Sequence, residues 1–197
     1  MGKIFFILGK SSSGKDTIFQ KIKENNELGL KTVVGYTTRP MRENEVDGEE
    51  YFFVDRDRLE ELKNEDKVIE SRDYNTVHGI WSYFTVDDGQ INLDQDNYLY
   101  IGTLESYEQV RNFYGEDKVV PLFIEVEQGE RLRRAVLREI EQSEPKYEEL
   151  CRRFLADEQD FREEEINRLG IEKKYMNEDL DTCVDEIVKD IMANKES

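Results

Sequence analysis

The run Gly9-Lys10-Ser11-Ser12-Ser13-Gly14-Lys15-Asp16-Thr17 holds the residue types that bind phosphate. Small side chains let backbone N–H groups curl around an anion, and the lysine at the end adds a full charge. The apolar segment Ile4–Leu8 leads into the run, and Ile18-Phe19-Gln20-Lys21-Ile22 follows with helical spacing. A strand thus delivers the chain to the loop, and a helix N-terminus adds partial positive charge at the same spot. The usual pattern is Gly, four residues, Gly-Lys, then Ser or Thr. In this chain Asp16 takes the last place and the hydroxyl comes one residue later, at Thr17. The plainer reading is a Gly/Ser turn between strand and helix. The strand before and the helix after favour a nucleotide site.

A second cluster lies at Thr37-Thr38-Arg39-Pro40-Met41-Arg42-Glu43-Asn44-Glu45-Val46-Asp47-Gly48-Glu49-Glu50-Tyr51-Phe52-Phe53-Val54. Arg39 and Arg42 offer fork-shaped donors suited to a phosphate. Tyr51 adds a phenolic O–H, Pro40 stiffens the turn, and Gly48 permits an unusual backbone angle. The plainer reading pairs the two arginines with Glu43 and Glu45 on a solvated loop.

Three short apolar runs, Lys3–Leu8, Tyr98–Gly102 and Val119–Val126, suit strands buried on both faces of a parallel sheet. Helical patterns cover Thr17–Asn25, Leu104–Tyr114, Gly129–Ser143, Lys146–Arg168 and Leu180–Asn194. Their alternation with the strands predicts an α/β fold with a central parallel sheet flanked by helices. Between them, Thr32–Tyr36, Tyr51–Val54, Val68–Ser71 and Ile80–Thr85 read as close-spaced strands, with one helix at about Asp57–Lys63. This is an inserted α+β lobe. The charged span from Glu127 to about Phe161 reads as a helical hairpin broken near Pro145, and its low apolar content suits a mobile lid.

The chain has 197 residues, enough for one domain with inserted lobes. Its two cysteines, Cys151 and Cys183, lie far apart and lack metal-ligand spacing, which suits a reducing, cytoplasmic setting. Its 28 basic and 46 acidic residues give a formal charge of −18, which repels nucleic-acid backbones. No apolar run approaches the ~20 residues that span a bilayer. Small-molecule nucleotides are the expected partners, with no nucleic acid and no membrane; monomer and dimer both stay open.

The segment from Thr37 to Val54 resembles the guanylate kinase signature. Thr37, Thr38, Arg39, Arg42, Glu45, Gly48, Tyr51, Phe53 and Val54 fill its slots. The likeness extends along the chain. Val68-Ile69-Glu70 resembles the family's segment ending in a base-reading glutamate. Arg134 and Arg138 resemble its lid arginines, with Arg153 or its neighbour Arg152 as a third. Tyr175-Met176-Asn177-Glu178-Asp179-Leu180 resembles the Asn-Asp-Asp-Leu stretch before the last helix. Three places depart from the family. Gly35 stands where Ser is usual, His78-Gly79-Ile80 where Tyr-Gly-Thr or Tyr-Gly-Ser is usual, and Tyr100-Ile101-Gly102 where Asp-Ile-Asp is usual. In the family these places help hold the base, its phosphate or the metal.

The resemblance implies a P-loop core (1–32, 86–127 and 162–197), a monophosphate-binding lobe (33–85) and a helical lid (128–161). It implies an ATP-dependent kinase that passes the γ-phosphoryl group to GMP, with Mg²⁺. Gly9 to Thr17 would hold the donor's phosphates, Lys15 between β and γ, with Thr17 on phosphate or metal and Asp16 beside a metal-bound water. Arg39, Arg42 and Tyr51 would hold the acceptor's phosphate, Thr38 and Glu45 would belong to the same acceptor site, and Glu70 would read the base. Arg134, Arg138 and Arg153 would close over the γ-phosphate. His78 either replaces the family tyrosine or is a plain loop residue. Two alternatives stand beside this one: a different phosphorylated acceptor, or a non-catalytic binding module.

Overall fold

The computed structural model describes residues 1–76 and 79–195. Strand β1 (Ile4–Leu8) is wholly buried. Alternation along the strand splits its side chains between two cores. Phe5 and Ile7 pack with Ile18, Ile22, Ile187 and Ile191. Ile4, Phe6 and Leu8 pack with Leu104, Tyr107 and Val110. Each such apolar side chain contributes about 1.5–3 kcal/mol when fully buried.

Helix α1 (Lys15–Glu24) follows the loop after β1. Strands β2 (Leu30–Thr32), β7 (Asn97–Gly102), β1, β8 (Val119–Glu125) and β9 (Lys174–Met176) form one parallel sheet in that order. From β1 the chain goes to the edge strand β2, returns to β7 beside β1, then crosses to β8 and β9 on the other side. The loop after β1 therefore sits at the switch point, at the carboxyl ends of the strands, where open α/β sheets bind ligands. Helices α3 (Leu104–Tyr114) and α7 (Leu180–Lys195) cover opposite faces.

A second sheet joins β4 (Phe52–Phe53), β3 (Tyr36–Thr37), β6 (Gly79–Val86) and β5 (Val68–Thr76) in that order. Helix α2 (Arg56–Asn64) packs on it through Leu59 and Leu62, against Phe84 and Val86. Helices α4 (Gln128–Ile140) and α5 (Tyr147–Asp160) form the hairpin, and α6 (Glu163–Arg168) follows. No described helix is long and apolar enough to cross a membrane.

Three sequence expectations change. The single strand at Thr32–Tyr36 is two strands in two sheets. The crossing is held by Gln90, whose Oε1 accepts from Val34 N at 2.8 Å and whose Nε2 donates to Val34 O at 3.1 Å. The helix Lys146–Arg168 breaks at Phe161, which turns inward and stacks on Phe123 with ring centroids 5.7 Å apart. Strand β9 is too short and polar to stand out, and exists because β8 offers it an edge.

Candidate active site

The loop after β1 is set by backbone constraints. Gly14 lies at φ 86°, and α1 begins at the next residue. A side chain there would be strained, and its Cβ would stand 2.3 Å from Asn177 Nδ2. That amide donates to Ser13 O at 2.8 Å, so the segment after β9 fastens the loop. A Cβ on Gly9 would lie 2.6 Å from Ile124 O in β8. Ser13 Oγ is buried with no hydrogen-bond partner among the described residues.

The helical hairpin clasps the same loop. Arg131 of α4 is fully buried and lies over the Phe154 ring at 3.9 Å. Its Nη1 donates to Asp157 Oδ2 at 3.2 Å and to Ser11 O at 3.3 Å, and its Nη2 to Glu158 Oε1 at 2.5 Å. Asp157 Oδ2 also accepts from the Ser11 backbone N at 2.8 Å, and Glu158 pairs with Lys10 at 2.9 Å. Arg138 donates to Ser12 Oγ at 2.9 Å, and Arg153 to Ser11 Oγ at 3.4 Å. Arg152 instead pairs with Glu149 at 2.7 Å. Arg134 is held by Glu130 at 2.9 Å and by Asn177 O at 3.0 Å.

Two concavities flank the loop. The larger, of about 1440 Å³, has Gly9, Ser11, Lys15 and Asp16 at one end. Gly35, Tyr51, Glu70, Arg72 and Tyr83 line the other end, and Arg153 and Asp157 the hairpin side. The smaller, of about 410 Å³, is lined by Ser12, Gly14, Thr17, Arg134, Arg138 and the stretch Asn177–Leu180. The loop is the wall between them.

The arginine cluster is arranged differently from its sequence expectation. Arg39 is buried behind the cleft wall, with its guanidinium 5.4 Å from the Tyr51 ring centroid and 5.3 Å from that of Phe53. It makes a forked pair with Glu45, with Nη1 to Oε2 at 2.7 Å and Nη2 to Oε1 closer still. That bond holds the Glu45 carboxyl down at about 2. Arg42 is exposed, and its backbone N donates to Glu45 Oε2 at 2.8 Å. Neither arginine is among the residues lining the cleft. Thr38 Oγ1 accepts from Ser82 N at 2.9 Å, so this threonine fastens the segment to β6. Burial pushes the Tyr51 phenol up.

Glu70 is almost fully buried. Its Oε1 accepts from Thr85 Oγ1 at 2.9 Å, Tyr100 OH at 3.1 Å and Arg72 Nη2 at 3.4 Å, and its Oε2 accepts from Arg72 Nε at 3.0 Å. Burial and the nearby Glu70 charge push the Tyr100 phenol up. Tyr100 stacks on Phe6 at 4.7 Å. A Cβ on Gly102 would lie 2.8 Å from that Phe6 ring and 2.3 Å from Ser106 Oγ. Glycine here is therefore a packing requirement. At Gly35 a Cβ would make ordinary contacts of 3.6–3.7 Å with Phe84 O and the Tyr51 ring.

The structure thus brings Gly9, Lys10, Ser11, Ser12, Ser13, Gly14, Lys15 and Thr17 together with Arg134, Arg138 and Arg153. Glu70 and Tyr51 face the same cleft as Lys15. His78 lies outside the described residues. Arg131, Asp157 and Arg72 escaped the sequence reading. In a chain this rich in charge, their types carry no signal until burial singles them out.

Comparison with known proteins accords with this architecture. The family model for guanylate kinase matches residues 1–194. Guanylate kinases of two Thermus thermophilus strains are each 41% identical to the chain over 73 residues. That match spans 37% of this chain and only 32% of each relative's length. The crystal structure of guanylate kinase from Anaplasma phagocytophilum superposes with a TM-score of 0.64 at 23% identity, covering 100% of this chain and 87% of that one. At that identity the likeness concerns the fold. The match to the family model over nearly the whole length places the chain in the guanylate kinase family.

Proposed function

We propose that the chain is an ATP-dependent nucleoside monophosphate kinase that transfers the γ-phosphoryl group of ATP to GMP, giving ADP and GDP. One observation carries this reading: the phosphate loop and the Tyr51–Glu70 wall open onto one cleft. Phosphoryl transfer between nucleotides needs little covalent help, because the attacking oxygen is already anionic. What it needs is in-line placement and neutralised charge.

In this reading, 33–85 is the acceptor lobe and 128–161 the lid, both mounted on the core. Backbone amides from Ser11 to Lys15 hold the donor phosphates, and Lys15 neutralises them. The buried Ser13 Oγ, which has no partner among the described residues, and the Cβ-free cradle at Gly9 and Gly14 fit a phosphate. Mg²⁺ fits the Thr17 hydroxyl together with phosphate oxygens. When bound, it offsets charge on the transferring group. Arg134, Arg138 and Arg153 approach the loop from the lid. Tyr51 donates to the acceptor phosphate, and Glu45 keeps Arg39 oriented behind it. Arg42 reaches the phosphate only when its loop folds inward. The two free cysteines suit a cytoplasmic setting.

A coupled assay with ATP, Mg²⁺ and each of GMP, dGMP, AMP, CMP and UMP tests the reading. GMP is expected to give the highest kcat/KM. No turnover with any of the five overturns it.

A further inference from the structure

The Glu70–Arg72 pair lines the larger cleft from strand β5 of the smaller sheet. Glu70 Oε1 is already committed, with three donors on it. Its Oε2 holds only Arg72 Nε, which leaves acceptor capacity on that oxygen. Arg72 is itself mostly buried and lines the cleft. Nε and Nη2 donate to Glu70; the remaining N–H groups have no partner among the described residues. The pair therefore presents an acceptor edge beside a donor edge.

We propose that Arg72 selects the acceptor base, admitting 6-oxopurines and rejecting adenine. The proposal rests on the reading above, in which a nucleoside monophosphate sets its base against Glu70. Guanine offers the complementary order: the N1–H donor beside the O6 acceptor. Adenine offers the reverse, an unprotonated N1 beside a 6-amino donor, so both contacts meet like with like. A buried polar site rejects a wrong base by leaving its groups unpaired. Arg72 remains charged at every relevant pH. Its donors are therefore constant, unlike a hydroxyl that can turn to accept. The Gly102 position cannot supply a reader, because Phe6 fills the space beside it.

The test compares wild type, Arg72→Met and Arg72→Lys with GMP, AMP and 6-thio-GMP, which keeps N1–H but replaces O6 by a weak acceptor. In Arg72→Met the ratio of kcat/KM for GMP over AMP falls by about tenfold or more. The change lies in the KM for GMP, with the KM for ATP unmoved. Arg72→Lys restores much of the ratio. Wild type favours GMP over 6-thio-GMP, and the gap closes in Arg72→Met. A folded Arg72→Met with an unchanged GMP-to-AMP ratio overturns the proposal alone. So does equal turnover of GMP and 6-thio-GMP by wild type, a measurement that needs no variant to fold. Wild-type protein that phosphorylates no purine monophosphate overturns the acceptor reading, and this proposal with it.

Discussion

The loop Gly9–Thr17 offers main-chain nitrogens, whereas the wall from Arg39 to Glu70 is built of side chains. The first needs small residues and positive φ, and Gly14 and Ser12 supply the angle. Its fastening by Asn177 is to a backbone atom, Ser13 O. The second is made of charged groups already matched to one another: Arg39 with Glu45, and Glu70 with Arg72, Thr85 and Tyr100. A backbone cradle keeps its shape with or without a ligand. A side-chain wall keeps its shape by internal pairing, so a ligand must compete with or complement that pairing.

Breaking the loop should have the largest effect. Lys15→Met is expected to cut kcat about a thousandfold while leaving the melting temperature nearly unchanged, because Lys15 pairs only loosely with Asp16 at 3.5 Å. Single-turnover assay and thermal melting read both; unchanged turnover removes Lys15 from its role.

The clasp between hairpin and loop comes next. Arg131→Met leaves Asp157 with only the Ser11 amide and Glu158 with only Lys10, at a cost of about 3 kcal/mol, or roughly a 10 °C drop in melting temperature for a chain of this size. A drop under about 2 °C would mean that the clasp stabilises little.

Glu45→Gln addresses the wall. The folded Glu45 carboxyl is held down at about 2, below its ordinary value. The stabilisation it brings is complete above the ordinary carboxylate range and is lost as pH falls toward 2. The melting temperatures of wild type and Glu45→Gln should therefore differ most above about pH 5 and converge near pH 2. Parallel curves would contradict the pairing with Arg39. The smallest effect is a gain. Gly35→Ser fits beside Tyr51 at ordinary contact distance, and one added hydroxyl should lower the acceptor's KM about threefold. A raised KM would place Gly35 away from the acceptor.

The same contrast explains what could be read beforehand. Ile4–Leu8 is apolar on both faces, and the Gly and Ser residues that follow are contiguous, so strand, loop and helix announce themselves locally. Leu104–Tyr114 matches its helix to the residue, and the structure shows Thr103 and Ser106 forming a capping box at its start. The break at Phe161 and the edge strand Lys174–Met176 did not, because each depends on a partner far along the chain.

The amino-acid order alone determined that a parallel sheet carries a phosphate loop at its first turn, and that arginines, Tyr51 and Glu70 follow at family spacing. The sheet and the loop rest on periodicity and on backbone angles, which neighbours in sequence dictate; the arginines, Tyr51 and Glu70 rest on the resemblance to the family. Only the tertiary structure decided which charges are buried and with whom. It placed Arg39 behind Tyr51, Arg131 under the hairpin, Arg72 on Glu70 and Asp157 against the Ser11 amide. In a chain with 28 basic and 46 acidic residues, opposite charges are everywhere along the sequence. Only folding removes water from a few of them and makes the choice of partner matter.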